Sequence, residues 1–179
     1  MPGRKNRLLD AEALLRYAVR ALAGRALSAG ELRAKLESRA ERAEDVRPTL
    51  ARLKEFGYLD DRRFAESFSA ARLETDGVGK QKVLRDLQRR RVAPALARET
   101  VERVFAGADE TGLIEDYLRR KYRNVALKEH LAEPRHLASA YRRLRGAGFS
   151  GGNAIRVLKR YAAEAEVLEA EGAESGDEL

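Results

Sequence analysis

A spacing that occurs three times along the chain limits the folds open to it more than any single motif. An apolar residue closes one amphipathic segment, the pattern breaks, and ten residues later a second set of apolar anchors begins at i, i+4 and i+7. Leu36 is followed by Val46, Leu50 and Leu53; Leu87 by Ala97, Val101 and Val104; Leu144 by Ala154, Leu158 and Tyr161. The hinge residues are offset by 51 and then 57 positions. Residues four and seven apart return to nearly the same angle of an α-helix, so each anchor set marks one helical face. Repetition at about fifty residues implies tandem units that bury their apolar faces on one another.

The punctuation agrees with helices. Ser28 and Glu31 form the Ser-x-x-Glu pattern of a capping box. Pro48, Pro94 and Pro134 each fall near an expected helix start, where a missing N–H costs nothing. Gly57, Gly77, Gly107, Gly112 and Gly146 fall between periodic segments as stops or turns. Leading helices are expected over 11–25, 61–74 and about 111–126. Composition excludes the competing class: Val, Ile and Thr together number only 16 of 179 residues, against 30 Ala and 24 Leu. Too few β-branched residues remain for a buried sheet.

The expected fold is all-α, an elongated array of three tandem three-helix, helix-turn-helix-like repeats over 11–58, 60–107 and 109–163. A basic flexible arm, 1–10, precedes them, and an acidic, largely disordered tail, 164–179, follows. The alternative is a nine-helix globule in which the spacing is fortuitous.

Cysteine is absent, which excludes disulfides, thiolate nucleophiles and Cys-based zinc sites and fits a reducing cytoplasm. No apolar run approaches the ~18 residues of a membrane span. His130 and His136 are separated by Pro134, so no single helix presents both. Asp60 and Asp61 precede a helix, where carboxylates cap exposed N–H groups. Gly77-Val78-Gly79-Lys80 lacks the spacing and the Ser/Thr of a phosphate loop, since Gln81 follows the lysine. Tyr117, Tyr122, Tyr141 and Tyr161 lie at helical spacings typical of core. No nucleophile–base pair, cofactor motif or metal-ligand set is marked, so the expectation is a non-enzyme without cofactor.

Charge is the functional signal. The net +7 divides into about +14 over residues 1–163 and seven acids without a base from Glu164 onward. Of 36 basic residues 28 are Arg, whose planar fork of donors matches carboxylate and phosphate. Arg85, Arg89, Arg90, Arg91 and Arg98 cluster in the second repeat. Arg119, Arg120, Lys121, Arg142, Arg143, Arg156, Lys159 and Arg160 cluster in the third. These thirteen are the contact candidates. Reversing Arg89, Arg90 and Arg91 to Glu is expected to weaken binding with little change in melting. The tail is expected either to shield the basic surface or simply to solvate the chain.

One run of residues carries a family likeness. Gly57-Tyr58-Leu59-Asp60-Asp61, Phe64-Ala65, Phe68, Arg72, Gly77-x-Gly79 and Leu87 followed by Arg91-Val92 resembles the signature of the RecX family. Gly148-Phe149-Ser150 with Ile155 and Leu158 is similar to that family's C-terminal unit, and Leu22 through Leu36 to its N-terminal one. Two departures stand out: Arg91 replaces the usual helix-stop glycine, and the acidic tail lies outside the pattern.

The resemblance implies a cytoplasmic, non-enzymatic regulator of DNA recombination and repair. Such a protein binds RecA and its filament on single-stranded DNA, in the filament groove, and restrains ATP hydrolysis, strand exchange and co-protease action in the SOS response. Weaker, salt-sensitive contact with single- or double-stranded DNA is expected, with no membrane partner. A monomer is expected because no heptad seam is present. The motif residues read as fold: Phe64, Phe68 and Leu87 as core, Gly79 as turn, Asp60 as cap, with Gly57, Tyr58, Arg72 and Gly77 as supports. The alternative function is a DNA-binding architectural or transcriptional helix-turn-helix protein.

Overall fold

The computed structural model describes residues 8–162, and all its regular elements there are helical. Ten α-helices follow in order: α1 Ala11–Gly24, α2 Ala29–Glu37, α3 Val46–Glu55, α4 Asp61–Ala71, α5 Lys80–Arg89, α6 Pro94–Val104, α7 Glu110–Lys121, α8 Leu127–Leu131, α9 Pro134–Gly146 and α10 Gly151–Leu158. The all-helical expectation holds. The tail from Glu164, and most of the basic arm, lie outside the described residues.

The repeated spacing is realised in burial. The hinge residues Leu36, Leu87 and Leu144 are completely buried. Val46, Leu50, Leu53, Ala97, Val101, Ala154 and Leu158 are buried too, while Val104 and Tyr161 are half-buried at the ends of their anchor sets. Each hinge leucine removes roughly 2 kcal/mol worth of apolar surface from water.

Two compact units emerge from the packing. The first comprises the chain up to Phe68 together with Asp86–Thr100. Its core joins Leu14 and Ala18 of α1, Leu32 and Leu36 of α2, and Val46, Leu50 and Leu53 of α3, closed by Leu27 and Leu59. The second comprises Ser69–Arg85 and the described chain from Val101 to Ala162. Its core joins Ile114 and Leu118 of α7 with Leu131, Leu137, Leu144, Phe149 and Leu158. Tyr141 is buried in it, with Tyr117, Tyr122 and Tyr161 packed against it, as their spacing suggested.

Local chemistry explains the boundaries. Ser28 and Glu31 make both halves of the capping box at α2. Asp10 caps α1 through the Ala13 N–H at 2.8 Å, and Ser150 caps α10. Pro94 and Pro134 occupy the first positions of α6 and α9.

Three helices end in the same way, with a left-handed residue and a pair of back-bonds. At Gly57 (φ +72°) the Tyr58 N–H reaches Leu53 O; at Arg91 (φ +58°) Val92 reaches Leu87 O; at Gly148 (φ +90°) Phe149 reaches Leu144 O. Arg91 thus holds the helix-stop conformation without being glycine.

Some sequence expectations are corrected. Gly112 lies in the first turn of α7, and Gly146 is the last residue of α9, because the left-handed stop falls on Gly148. The leading helix of the third set ends at Lys121 rather than near 126, and the five-residue α8 follows it. In the second set the leading helix ends at Ala71 and widens into a π-turn, Arg72–Asp76, closed by left-handed Gly77.

Candidate interaction surface

The site-bearing segments are positioned by two joints, one in each unit. In the first unit the stop at the end of α5 sits on the start of α2. The Ser28 hydroxyl donates to the Arg90 carbonyl. Gly30 lies so close to Arg91 that a Cβ there would come within 2.5 Å of the Arg91 Cβ. From α4, the Asp61 carboxylate accepts the Ala29 N–H at 2.7 Å, so Asp61 caps α2 while Asp60 caps its own helix through the Arg62 and Arg63 N–H groups.

The Arg90 side chain completes this joint. Its Nε donates to Glu31 at 2.8 Å and an Nη to the Ala26 carbonyl at 3.0 Å. Its guanidinium carbon lies 5.0 Å from the Phe64 ring centre and 5.7 Å from that of Phe68. Burial alone would raise the Glu31 carboxyl. The Ser28 N–H, Arg90 and Arg25 outweigh it and hold the group below the usual carboxylate range.

In the second unit the stop at the end of α9 sits on the start of α5. Gly79 N–H donates to Ala147 O at 2.9 Å, and Gln81 N–H to Gly148 O at 3.1 Å. Both glycines are required by contact: a Cβ on Gly148 would stand 2.7 Å from Gly79 O, and one on Gly79 would overlap the Gly148 backbone. In the segment that superficially suggested a phosphate loop the Gly79 amide therefore serves a main-chain joint, and Lys80 pairs with Glu102.

Beside this joint a cleft of about 810 Å³ is lined by Arg85, Arg145, Arg156, Asp109, Glu110 and Phe149 among others. Glu110 reaches from α7 to the start of α10, accepting from Ser150 N–H at 2.8 Å, Ser150 Oγ at 2.7 Å and the Asn153 amide. Burial pushes its carboxyl up, but the Ser150 and Asn153 hydrogen bonds and the Lys80 charge bring it below the ordinary value.

The thirteen candidate cations divide by what holds them. Arg85 donates to Gly146 O and Arg120 to Asp76 O, closing main-chain ends inside the second unit. Arg119 pairs with Asp116 at 2.8 Å, and Arg160 with Glu115. Arg89 pairs with Asp86 but leaves its side chain 73% exposed. Lys159 is exposed and also engaged. Arg91 and Arg98 in the first unit, and Lys121, Arg142, Arg143 and Arg156 in the second, are exposed with no ion pair among the described residues. Arg142 and Arg143 stand on the face of α9 opposite Leu137, Ala140, Tyr141 and Leu144.

The expectation that reversing Arg90 leaves melting unchanged is therefore corrected, because that guanidinium ties α2 to the end of α5. Phe64 and Phe68 are likewise not core. They stack on each other at 6.0 Å and are only half-buried, outside the core of the first unit. Arg72 pairs with Asp76 across the π-turn. His130 and His136, on different helices, stack at 4.0 Å, a proximity their sequence separation did not reveal. Among the described residues no group of three His, Asp or Glu is placed to hold a metal ion. No described helix is long and apolar enough to cross a membrane.

Known proteins resemble this arrangement in sequence and in fold. Residues 60–101 match the family model described as the RecX second three-helix domain. The Regulatory protein RecX of Deinococcus radiodurans is 38% identical over 147 residues, 82% of this chain and 67% of that protein. That of a Thermus thermophilus strain is 34% identical over 154 residues, 85% of this chain and 94% of that protein. The chain belongs to the RecX family. The crystal structure of RecX from Lactobacillus salivarius superposes with a TM-score of 0.64 at 15% identity, over 84% of this chain and 96% of that one. At that identity the likeness bears on the fold, a family arrangement of helical repeats.

Proposed function

We propose that this regulatory protein acts on the RecA recombinase in the cytoplasm. In this reading it binds RecA and RecA–single-stranded-DNA filaments and restrains ATP hydrolysis, strand exchange and co-protease action, with no catalysis of its own. The observation that carries the reading is the family relationship, which spans nearly the whole of the Thermus thermophilus relative. The exposed cations without ion pairs among the described residues supply the contact chemistry: guanidinium forks suit both the carboxylates of a protein surface and the phosphates of DNA. Arg142, Arg143 and Arg156 are the residues assigned to this role, with Arg91 in the first unit and Arg89, which stays 73% exposed beside its Asp86 partner. Many weak contacts along a repeating filament add through effective concentration.

The test is a titration of the full chain into preformed RecA filaments while ATP hydrolysis is followed. Suppression well below one molecule per RecA protomer is expected, and Arg142→Glu with Arg143→Glu should weaken it about tenfold with melting unchanged. Suppression that appears only when the chain saturates the DNA, and vanishes with modest salt, would establish DNA competition instead.

A further inference from the structure

The first unit holds a second recognition feature that the family motif does not explain. A cleft of about 610 Å³ is lined by the aliphatic Leu22 and Leu27 and by the aromatic Tyr58, Phe64 and Phe68. Tyr58 is 57% exposed, and the two phenylalanines are half-buried without belonging to the core. Burying large aromatics is among the strongest contributions available to a small unit, so an aromatic as exposed as Tyr58 beside two half-buried rings favours a covering partner.

The rim is cationic. Arg63 has its Nη fixed by the Gly57 carbonyl at 3.1 Å and is otherwise exposed; Arg25 also lines the cleft, half-exposed, with Glu31 at 3.2 Å. The acid among the lining residues, Asp60, accepts from the Arg62 and Arg63 N–H groups and keeps its charge, so the lining arginines Arg25, Arg63 and Arg90 outnumber it three to one. A guanidinium held by a carbonyl keeps its full charge and its remaining donors, already oriented.

The geometry points to a docking site for an acidic protein segment: an aliphatic or aromatic anchor enters between Leu22 and Phe68, and flanking carboxylates meet Arg63 and Arg25. A protein segment fits better than a nucleobase. The Arg90 guanidinium already lies over both phenylalanine rings, so the faces that base stacking needs are occupied. Apolar anchors flanked by charge are a common mode of peptide capture. This site does not rest on the RecA reading.

The test uses the full chain with labelled phenylalanine rings and a capped peptide carrying Leu-Phe between pairs of Glu. Saturable shifts are expected at Phe64 and Phe68, with Phe149 silent. Arg63→Glu, with circular dichroism and melting checked beside it, should weaken binding about tenfold, and Phe68→Ala should abolish it. Replacing the central pair by Ala-Ala should also abolish the shifts. No shift at Phe64 and Phe68, equal binding of the Ala-Ala peptide, or a response of these rings to oligothymidylate alone would overturn the proposal. Peptide binding by a chain that leaves RecA filaments unaffected would keep this site and remove the function proposed above.

Discussion

The two joints place the same main-chain geometry in different chemical hands. The repeat offsets equate Ser28 and Gly30 with Gly79 and Gln81, and Arg90 and Arg91 with Ala147 and Gly148. In the first unit a serine hydroxyl reaches the carbonyl before the stop, the stop is an arginine, and its neighbour Arg90 braces the contact against Glu31 and Phe64. In the second unit two amides reach the equivalent carbonyls, and two glycines let the backbones meet. Both joints need a bare glycine at the contact, Gly30 in the first and Gly79 with Gly148 in the second, but only the first adds side-chain braces. Those braces can be removed in steps, whereas the second joint has little room between intact and broken.

The largest effect is expected from Gly148→Ala. The added Cβ overlaps Lys82 and Gly79, and φ of +90° disfavours any side chain, so a loss of about 3 kcal/mol or more is expected. Urea unfolding followed by hydrogen exchange should place the damage in the second unit. A loss below about 1 kcal/mol would show that the glycine joint yields more easily than its geometry implies.

Arg90→Ala comes next, at roughly 1–3 kcal/mol, because it takes one of the cations from Glu31 and a donor from the Ala26 carbonyl and uncovers two aromatic rings. Amide exchange should quicken in α2 while α9 and α10 are unchanged. Equal quickening in both units would erase the distinction between the joints.

Arg91→Gly tests the stop itself and should have the opposite sign. A non-glycine residue at φ +58° costs about 1 kcal/mol, partly offset by the greater freedom glycine gives the unfolded chain. A rise in urea midpoint corresponding to about 0.5 kcal/mol is expected. A fall would mean that the Arg91 side chain stabilises the joint in its own right.

The smallest effect is a pH dependence. Glu31 and Glu110 have carboxyls held below their ordinary values, so each contributes stability that is complete above its unfolded pKa. That contribution is lost as pH falls through the folded value. Glu110→Gln should therefore flatten the acid limb of a stability–pH curve for the second unit while leaving the limb due to Glu31. An unchanged limb would separate Glu110 from acid sensitivity.

Much of the architecture was legible because burial follows periodicity. Leu36, Leu87 and Leu144 could be picked out by their distance from the next anchors, and Ser28 by its capping partner. The joints were not legible, since Ser28 and Arg90 are 62 residues apart and meet through a backbone carbonyl that no side-chain pattern announces. Arg90 looked like surface charge because it stands in one run with Arg89 and Arg91. Phe64 and Phe68, four apart, carried the spacing of core residues. The first unit closes its core with Leu27 and Leu59 instead, which leaves the aromatic pair at the cleft. The five-residue α8 is too short to show a period.

A joint made from amides and carbonyls has one further consequence. Every residue but proline supplies those groups, so the Gly79–Ala147 contact is indifferent to most changes of sequence around it. Only an added carbon atom at a few positions can destroy it. An ancestral chain could thus exchange nearly all its surface chemistry, acquire new partners, and still inherit the same alignment of helices, provided those few positions stayed bare.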